Sequence, residues 1–148
     1  MIRFLSFLLV AILTVHPVLA DDEITGKPQV VDGDSLTLDG TLVRIYGMDA
    51  PELKRTCVSK KGKTQHCGDL ARQMLQTIIH TNPVKCLPRG KDPDGAIVAL
   101  CYGGPFDIAE QMIGAGWALP VREETEDYVR AETFARARHE GMWRGTFI

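Results

Sequence analysis

Residues 30–52 read VVDGDSLTLDGTLVRIYGMDAPE, and the architecture of the chain follows from this stretch. The pair Asp39-Gly40 predicts a two-residue hairpin turn, because both central positions of such a turn need positive φ. Apolar residues alternate with other residues on both sides of the turn, at Leu36, Leu38, Val43 and Ile45. This period of two predicts a β-hairpin with one buried face.

Charged side chains lie at the ends of the predicted strands and in the turn that follows, where they can converge on a ligand. They are Asp34, Arg44, Asp49 and Glu52. Three plainer interpretations stay open at this point. Asp32-Gly33 can be a simple turn, residues 49–52 a helix start, and Arg44 a solvated strand residue.

The two-residue turn also sets the register of the hairpin. It places Arg44 opposite Ser35 and Ile45 opposite Asp34, so strict alternation puts the Asp34 and Arg44 side chains on opposite faces. Convergence of these two side chains therefore requires a bulge, or a barrel rim where strand ends splay apart.

The first twenty residues are typical of a secretory signal peptide, with Arg3, an apolar run over residues 4–15 and a small-residue cleavage site at residues 18–20. A membrane anchor is the alternative, but a spanning helix needs about 20 apolar residues. The sequence therefore predicts a secreted or periplasmic protein. One domain would occupy residues 21–148, without membrane contact after cleavage.

The formal net charge of the 148-residue chain is −2, and removal of Arg3 changes it to −3. This acidic balance argues against tight non-specific nucleic-acid binding, which depends on neutralising phosphates. Charge is nevertheless uneven: one loop is basic and another acidic. Solvated loops and a binding surface both explain these clusters, which are Lys54, Arg55, Lys60, Lys61 and Lys63, and then Glu123, Glu124, Glu126 and Asp127.

Four cysteines follow the predicted cleavage site, and export makes disulfides the default expectation. Three connectivities are possible. We favour Cys57–Cys67, which would close the basic loop, and Cys86–Cys101, which would join two predicted neighbouring strands. A zinc site that uses His66 is the alternative, but the sequence contains no Cys-x-x-Cys pair.

The remaining sequence predicts an α+β fold. Apolar patterns predict a helix over residues 68–81, strands over residues 84–87 and 97–102, and a loop over residues 57–67. Asp107 and Glu110 predict a capped helix that Gly116 ends, and a last helix is expected over residues 126–140. Five strands, a helix after the third and two further helices give the element order of an OB-fold barrel.

Residues 32–52 resemble the signature of the staphylococcal nuclease family, Asp-Gly-Asp-Thr followed by Arg-Leu-x-Gly-Ile-Asp-Ala-Pro-Glu. Ser35, Ile45 and Met48 are substitutions within it. The similarity continues weakly through residues 114–118 and 141–143 and thus covers nearly all of the chain after residue 20. It implies a five-stranded OB-fold barrel with three helices, and barrel closure rests on this resemblance alone.

The resemblance also implies a Ca²⁺-dependent nuclease that cleaves phosphodiesters of DNA or RNA, with nucleic acid as its partner. Asp34, Asp49 and the Ala50 carbonyl would hold a single Ca²⁺, since hard oxygen donors suit this ion. Glu52 would be the general base for water. Arg44 would clamp the phosphate, because its planar guanidinium matches two phosphate oxygens.

Two features depart from the family pattern. The family's second arginine, in a string like Asp-x-Tyr-Gly-Arg, falls on Ala96, and its tyrosine falls on Asp94. Loss of such an arginine could cost about 10³ to 10⁵ in rate, unless Arg89 or Lys91 in the same connection replaces it. Tyrosines that would stack on the nucleotide, worth about 1–3 kcal/mol per base, are missing from residues 119–123.

Two functions are therefore predicted. The first is an exported Ca²⁺-dependent nuclease whose activity is weakened by Ala96. The second is a catalytically degenerate binding or accessory module of the same fold. Exopolysaccharide production is one concrete setting, because some exported proteins of this fold are associated with it.

Overall fold

The structure is a computed structural model that describes residues 23–80 and 82–145. It contains three α-helices, a C-terminal 3-10 helix and short to medium strands. The strands are β1 (Ile24–Gly26), β2 (Pro28–Val30), β3 (Ser35–Leu38), β4 (Thr41–Ile45), β5 (Met48–Asp49), β6 (Thr56–Val58), β7 (Thr64–His66), β8 (Val84–Lys91), β9 (Ile97–Gly103), β10 (Phe106–Asp107) and β11 (Leu119–Pro120). The helices are α1 (Cys67–Ile79), α2 (Ile108–Gly114) and α3 (Val129–Ala137), and the 3-10 helix is Gly141–Arg144.

The predicted hairpin is confirmed as β3 and β4. Asp39 and Gly40 have φ values of 47° and 87°, so both turn positions are left-handed as a two-residue turn requires. The antiparallel register pairs Ser35 with Arg44 and Leu38 with Thr41.

The main sheet is mixed and follows the order β1-β8-β9-β4-β3-β2, with β10 paired to β9. β4 and β9 are parallel, and the other neighbours are antiparallel. The two edge strands, β1 and β2, are consecutive in sequence and separated only by Lys27. Counted as one interrupted strand, they leave five strands along this path, with β10 as an additional strand beside β9. β1 and β2 also bring the two edges of the main sheet together, in an α+β arrangement consistent with an OB-like barrel, although the described ladders form no closed ring.

The hydrophobic core lies between the curved sheet and helices α1 and α2. Side chains from the inner face of the hairpin are fully buried there, together with apolar residues from both helices. The largest of them are Leu36, Leu38, Ile45, Met48, Leu75, Ile108, Met112 and Ile113. The core thus anchors the strand ends that carry the charged side chains.

β8 is longer than predicted. The predicted strand covers residues 84–87, whereas the observed strand continues through Pro88, which cannot donate a ladder hydrogen bond, to Lys91. Pro88 pairs with Ala99 and Gly90 with Val98, so Arg89 is an extra residue in a β-bulge.

The helices agree with the sequence except near the C-terminus. Asp107 caps α2 as predicted, because its Oδ1 accepts from the N–H groups of Ala109 and Glu110 at 2.9 and 3.2 Å. The last predicted helix, residues 126–140, was too long, since α3 spans Val129–Ala137 and a separate 3-10 helix follows. The predicted end of the first helix includes Thr81, which lies outside the described residues.

Residues 57–67 were wrongly predicted as a loop without strands, since β6 and β7 form a short hairpin there. The Cys57–Cys67 disulfide joins β6 of this hairpin to the first residue of α1, which directly follows β7. A second disulfide, Cys86–Cys101, links directly paired residues of β8 and β9. Neither disulfide leaves a thiol for the zinc alternative, and no free cysteine is found in the described parts of the chain.

The predicted signal peptide, residues 1–20, lies outside the described residues. Within the part of the chain that the structure describes, no helix has the length and apolar character needed to cross a bilayer. The two disulfides are typical of proteins in an oxidising compartment.

Candidate active site

The turn between β2 and β3 is built by Asp32. Its Oδ1 accepts from the N–H groups of Asp34 and Ser35 at 3.1 and 2.8 Å, and from the Ser35 hydroxyl at 2.6 Å. Asp32 therefore shapes the turn, as one of the plainer interpretations proposed. Gly33 allows this turn to approach the core, because a Cβ at this position would lie 2.7 Å from Cβ of Ala50.

The Asp34 side chain lies between this turn and the segment that follows β5. Its Oδ2 accepts from the N–H of Ala50 at 3.0 Å, and its backbone oxygen accepts from Ile45 at 2.9 Å. Burial, together with the neighbouring carboxylates of Asp32 and Asp49, raises the pKa of Asp34 from 3.8 to about 7, against the opposing Ala50 hydrogen bond. Asp34 is therefore a carboxylate whose negative charge the Ala50 hydrogen bond compensates only in part.

Asp49 and Glu52 line one cavity of about 300 Å³, together with Ala50 and Arg55. Asp49 is positioned by the pairing of β5 with β11, in which it lies opposite Leu119. These contacts bring two acidic side chains and one guanidinium to the same opening.

The backbone at Glu52 is fixed by close packing against the start of α1. Its carbonyl oxygen accepts from the N–H of Arg55 at 2.8 Å. A Cβ at Gly68 would lie 1.9 Å from that same oxygen, so only glycine fits in this turn of the helix. The Glu52 side chain is exposed at the mouth of the cavity.

Arg44 does not line this cavity. It contributes to a second one, of about 310 Å³, and its guanidinium forms an ion pair with the Glu124 carboxylate. The other Glu124 oxygen accepts from the N–H of Gly47 at 2.6 Å. The sequence predicts that all four charged groups meet in one small cavity, whereas Asp49 and Glu52 line one cavity and Arg44 lines another. The alternation of the hairpin explains the separation, because Val43 and Ile45 on either side of Arg44 point into the core.

Arg89 and Lys91 line the Arg44 cavity as well. Arg44 pairs with Val98 across the parallel ladder, and Val98 pairs with Gly90 on its other side. The bulge at Arg89 thus lies two strands away from Arg44 at the same level of the sheet. Ala96, at the position of the family's second arginine, has no positively charged side chain. Its N–H donates to Asp92 Oδ1 at 2.9 Å.

Two residues of this region were missed by the sequence argument. The sequence places Glu124 in an acidic loop and Arg55 in a basic one, either solvated or part of a binding surface, whereas Glu124 pairs with Arg44 and Arg55 lines the Asp49 cavity. Arg44 and Glu124 are 80 residues apart, so no local spacing could indicate their contact. The available signal was that an arginine in a half-buried strand needs an acidic partner somewhere in the fold.

The donor set at Asp34 and Asp49 fits a hard divalent cation in part. Both side chains supply carboxylate oxygens, and a cation beside them would lower the pKa that burial and mutual repulsion raise. Within residues 23–80 and 82–145, no cluster of three or more His, Cys, Asp or Glu side chains has metal-binding geometry. An ion held here would therefore need backbone carbonyl and water oxygens to complete its coordination.

Comparison with known proteins agrees with this architecture. The model of the family described as "Staphylococcal nuclease homologue" matches residues 42–145. The chain is 29% identical to the succinoglycan biosynthesis protein ExoI of Rhizobium meliloti, over 96% of this chain and 76% of that protein.

Two further relatives carry nuclease names. An uncharacterized endonuclease of Haemophilus influenzae is 26% identical over 78% of this chain and 63% of its own length. A probable staphylococcal-like nuclease, CAN2, of Oryza sativa is 30% identical over 68% of this chain and only 25% of its own length. The family match covers well over half of the chain, and the fold agrees with it. The chain therefore belongs to the staphylococcal nuclease family.

Proposed function

We propose that this chain is an exported, Ca²⁺-dependent nuclease that hydrolyses phosphodiester bonds of DNA or RNA. One observation carries the proposal: the half-buried Asp34 is held by the Ala50 N–H at 3.0 Å beside Asp49, next to a cavity that Asp49 and Glu52 line. Burying an acidic side chain among other acidic side chains is unfavourable unless a cation compensates them. Family membership supports Ca²⁺ as that cation.

Asp34, Asp49 and the carbonyl of Ala50 would hold the ion. When bound, Ca²⁺ supplies positive charge beside the phosphate that is attacked. Glu52 would accept a proton from water while the water oxygen bonds to phosphorus. The bond from phosphorus to the leaving oxygen then breaks, and that oxygen takes a proton from solvent. The exposed position of Glu52 beside Arg55 suits this role, because the substrate can reach it from solvent.

Positively charged side chains around Arg44 would bind the phosphate groups of the substrate. Arg44, Arg89 and Lys91 line one cavity in which Glu124 and Asp92 are the acidic members. A phosphate that enters this cavity must compete with the Glu124 carboxylate for Arg44. Competition from Glu124 would weaken phosphate binding, and alanine at position 96 removes a second arginine. Both features support a slow enzyme.

Glu52→Gln tests the proposal directly. The purified protein is incubated with a single-stranded oligonucleotide and Ca²⁺, and cleavage is measured against time. General base catalysis contributes about 10²–10⁴-fold, so the variant should lose activity in that range and retain Ca²⁺ binding. Glu110→Gln, at an exposed position of α2 that lines neither cavity, is the matched control. Equal cleavage by Glu52→Gln and the parent would contradict the mechanism.

A second function is favoured by Ala96, by the Arg44–Glu124 ion pair, and by the name of the succinoglycan biosynthesis relative. It is a degenerate nuclease fold that serves as a binding or accessory module in exopolysaccharide production. Under this hypothesis the parent does not cleave nucleic acid, and Ala96→Arg restores cleavage. A parent that cleaves as fast as the Ala96→Arg variant would remove its main support.

A further inference from the structure

A groove of about 660 Å³ lies on a part of the described chain that neither proposed function uses. Its basic rim is supplied by Lys60, Lys61, Lys63 and Arg144. Its floor is apolar and includes Leu70, Met74, Trp117 and Met142. We refer to this cavity as the basic groove.

The basic groove adjoins the cavity lined by Asp49 and Glu52, which we refer to as the carboxylate cavity. Cys57 and Met142 line both, so the two openings share one wall. Cys57, Cys67 and Met142 form a buried cluster with Trp117 packed against it, which makes this wall solid. A chain-like ligand bound at Asp49 and Glu52 can therefore extend past the disulfide into the groove.

The lysines of the groove are presented by a compact turn. The Lys63 backbone oxygen accepts from the Ser59 N–H at 2.8 Å, and the Ser59 hydroxyl accepts from the Lys63 N–H at 3.1 Å. The C-terminal side of the groove is packed against the same hairpin, because a Cβ at Gly145 would lie 1.9 Å from the Val58 oxygen. The groove is therefore a fixed feature of two contacting segments.

Charge selects the kind of ligand. Glu140 is the acidic lining residue of the groove, and its carboxylate already accepts from Arg144 and Arg138 at 3.2 and 3.5 Å. Lys60 and Arg144 also line an adjoining depression of about 440 Å³ with Arg138 and His139. This side of an acidic protein is thus strongly basic, and a polyanion is its complement.

We propose that the basic groove binds the strand of a single-stranded nucleic acid beyond the scissile phosphate. The proposal rests on the nuclease function proposed above and extends its site from the carboxylate cavity across the disulfide. The lysines contact phosphates, and unstacked bases lie on the apolar floor beside Trp117. A duplex does not fit this description, since its bases are stacked inside and would leave the apolar floor uncovered.

Binding in Ca²⁺-free buffer tests the groove apart from cleavage. A labelled twelve-nucleotide oligothymidylate is titrated by fluorescence anisotropy at several salt concentrations. The double variant Lys60→Ala/Lys63→Ala should bind more weakly, and its salt slope should fall by about 1.4, from about 0.7 for each lost single-strand phosphate contact. Lys27→Ala/Lys85→Ala removes the same charge from positions outside the groove, and should retain the parent affinity and slope.

Cleavage in Ca²⁺ then separates the two proposals. A dinucleotide, too short to reach the groove, should be cleaved equally by the parent and by Lys60→Ala/Lys63→Ala, whereas the twelve-mer should be cleaved more slowly by the variant. If the variant binds the oligonucleotide with the affinity and salt slope of the parent, the groove proposal is wrong and the nuclease proposal is unaffected. Loss of slope in a protein that cleaves nothing would support the groove and overturn the nuclease. Lysine-dependent binding of an acidic polysaccharide, with oligonucleotide binding unaffected, would also overturn the groove proposal.

Discussion

Replacement of Asp34 by asparagine should stabilise the metal-free protein at neutral and alkaline pH. The pKa of Asp34 is raised from 3.8 to about 7, mainly by burial. A shift of about three pKa units corresponds to about 4 kcal/mol as an upper bound, at 1.36 kcal/mol for each unit. Asparagine is neutral and keeps an oxygen for the Ala50 N–H, so it removes this penalty without removing the hydrogen bond.

The sign of the pH dependence follows from proton binding. Between pH 4 and pH 7 the folded state holds a proton on Asp34 that the unfolded state has lost, so stability falls as pH rises through this window. Below the unfolded pKa both states are protonated and the penalty disappears. The parent and Asp34→Asn should therefore differ little near pH 4, and by about 2–4 kcal/mol at pH 8.

Urea unfolding in a chelating buffer at pH 4, 6 and 8 measures the difference, provided the m-values of the proteins agree. Asp94→Asn, at an exposed turn position, is the matched control and should change stability by less than about 0.5 kcal/mol at every pH. Added Ca²⁺ at 1,000 times Kd should cancel or reverse the difference, since it stabilises the parent by about 4.1 kcal/mol. An Asp34→Asn protein less stable than the parent at pH 8 without metal would refute the reasoning.

Two further substitutions test other contacts. Asp107→Ala removes the cap of α2 and the acceptor of the Tyr128 hydroxyl, which lies 2.7 Å from Asp107 Oδ2. The substitution should lower the free energy of unfolding, measured in urea, by about 1–3 kcal/mol. An unchanged urea midpoint would contradict the role of Asp107 as a cap. Glu124→Gln removes the charge that occupies Arg44. It should tighten dinucleotide binding several-fold in Ca²⁺-free calorimetry, and weaker binding would show that Glu124 instead positions Arg44 for the substrate.

Local rules were sufficient where the chemistry is local. The Asp39-Gly40 turn, the register that follows from it and the Asp107 cap all depend on residues within a few positions of each other, and all three are confirmed. The family signature allowed the whole fold to be predicted, because it implies which distant strands pair. Periodicity within single strands does not contain this information.

Weak local patterns and long-range contacts explain why three features were not predicted from the sequence. The β6–β7 hairpin consists mainly of polar residues without an alternating pattern, and the Cys57–Cys67 disulfide ties its first strand to the start of α1. The bulge at Arg89 lets a strand continue past Pro88, which local preference would end. The Arg44–Glu124 ion pair depends on β11 returning beside β5, which is a tertiary arrangement.

The interrupted N-terminal strand has a consequence for how the molecule can be divided. β1 and β2 occupy opposite edges of one sheet, so a molecule cut after Val31 would expose two unpaired edges at once. Open edges invite pairing with other chains and aggregation. A synthetic peptide of residues 23–31 presents the same backbone donors and acceptors to both edges. It could therefore restore the truncated molecule by fragment complementation, making this short segment a natural place to split the protein into two reassembling parts.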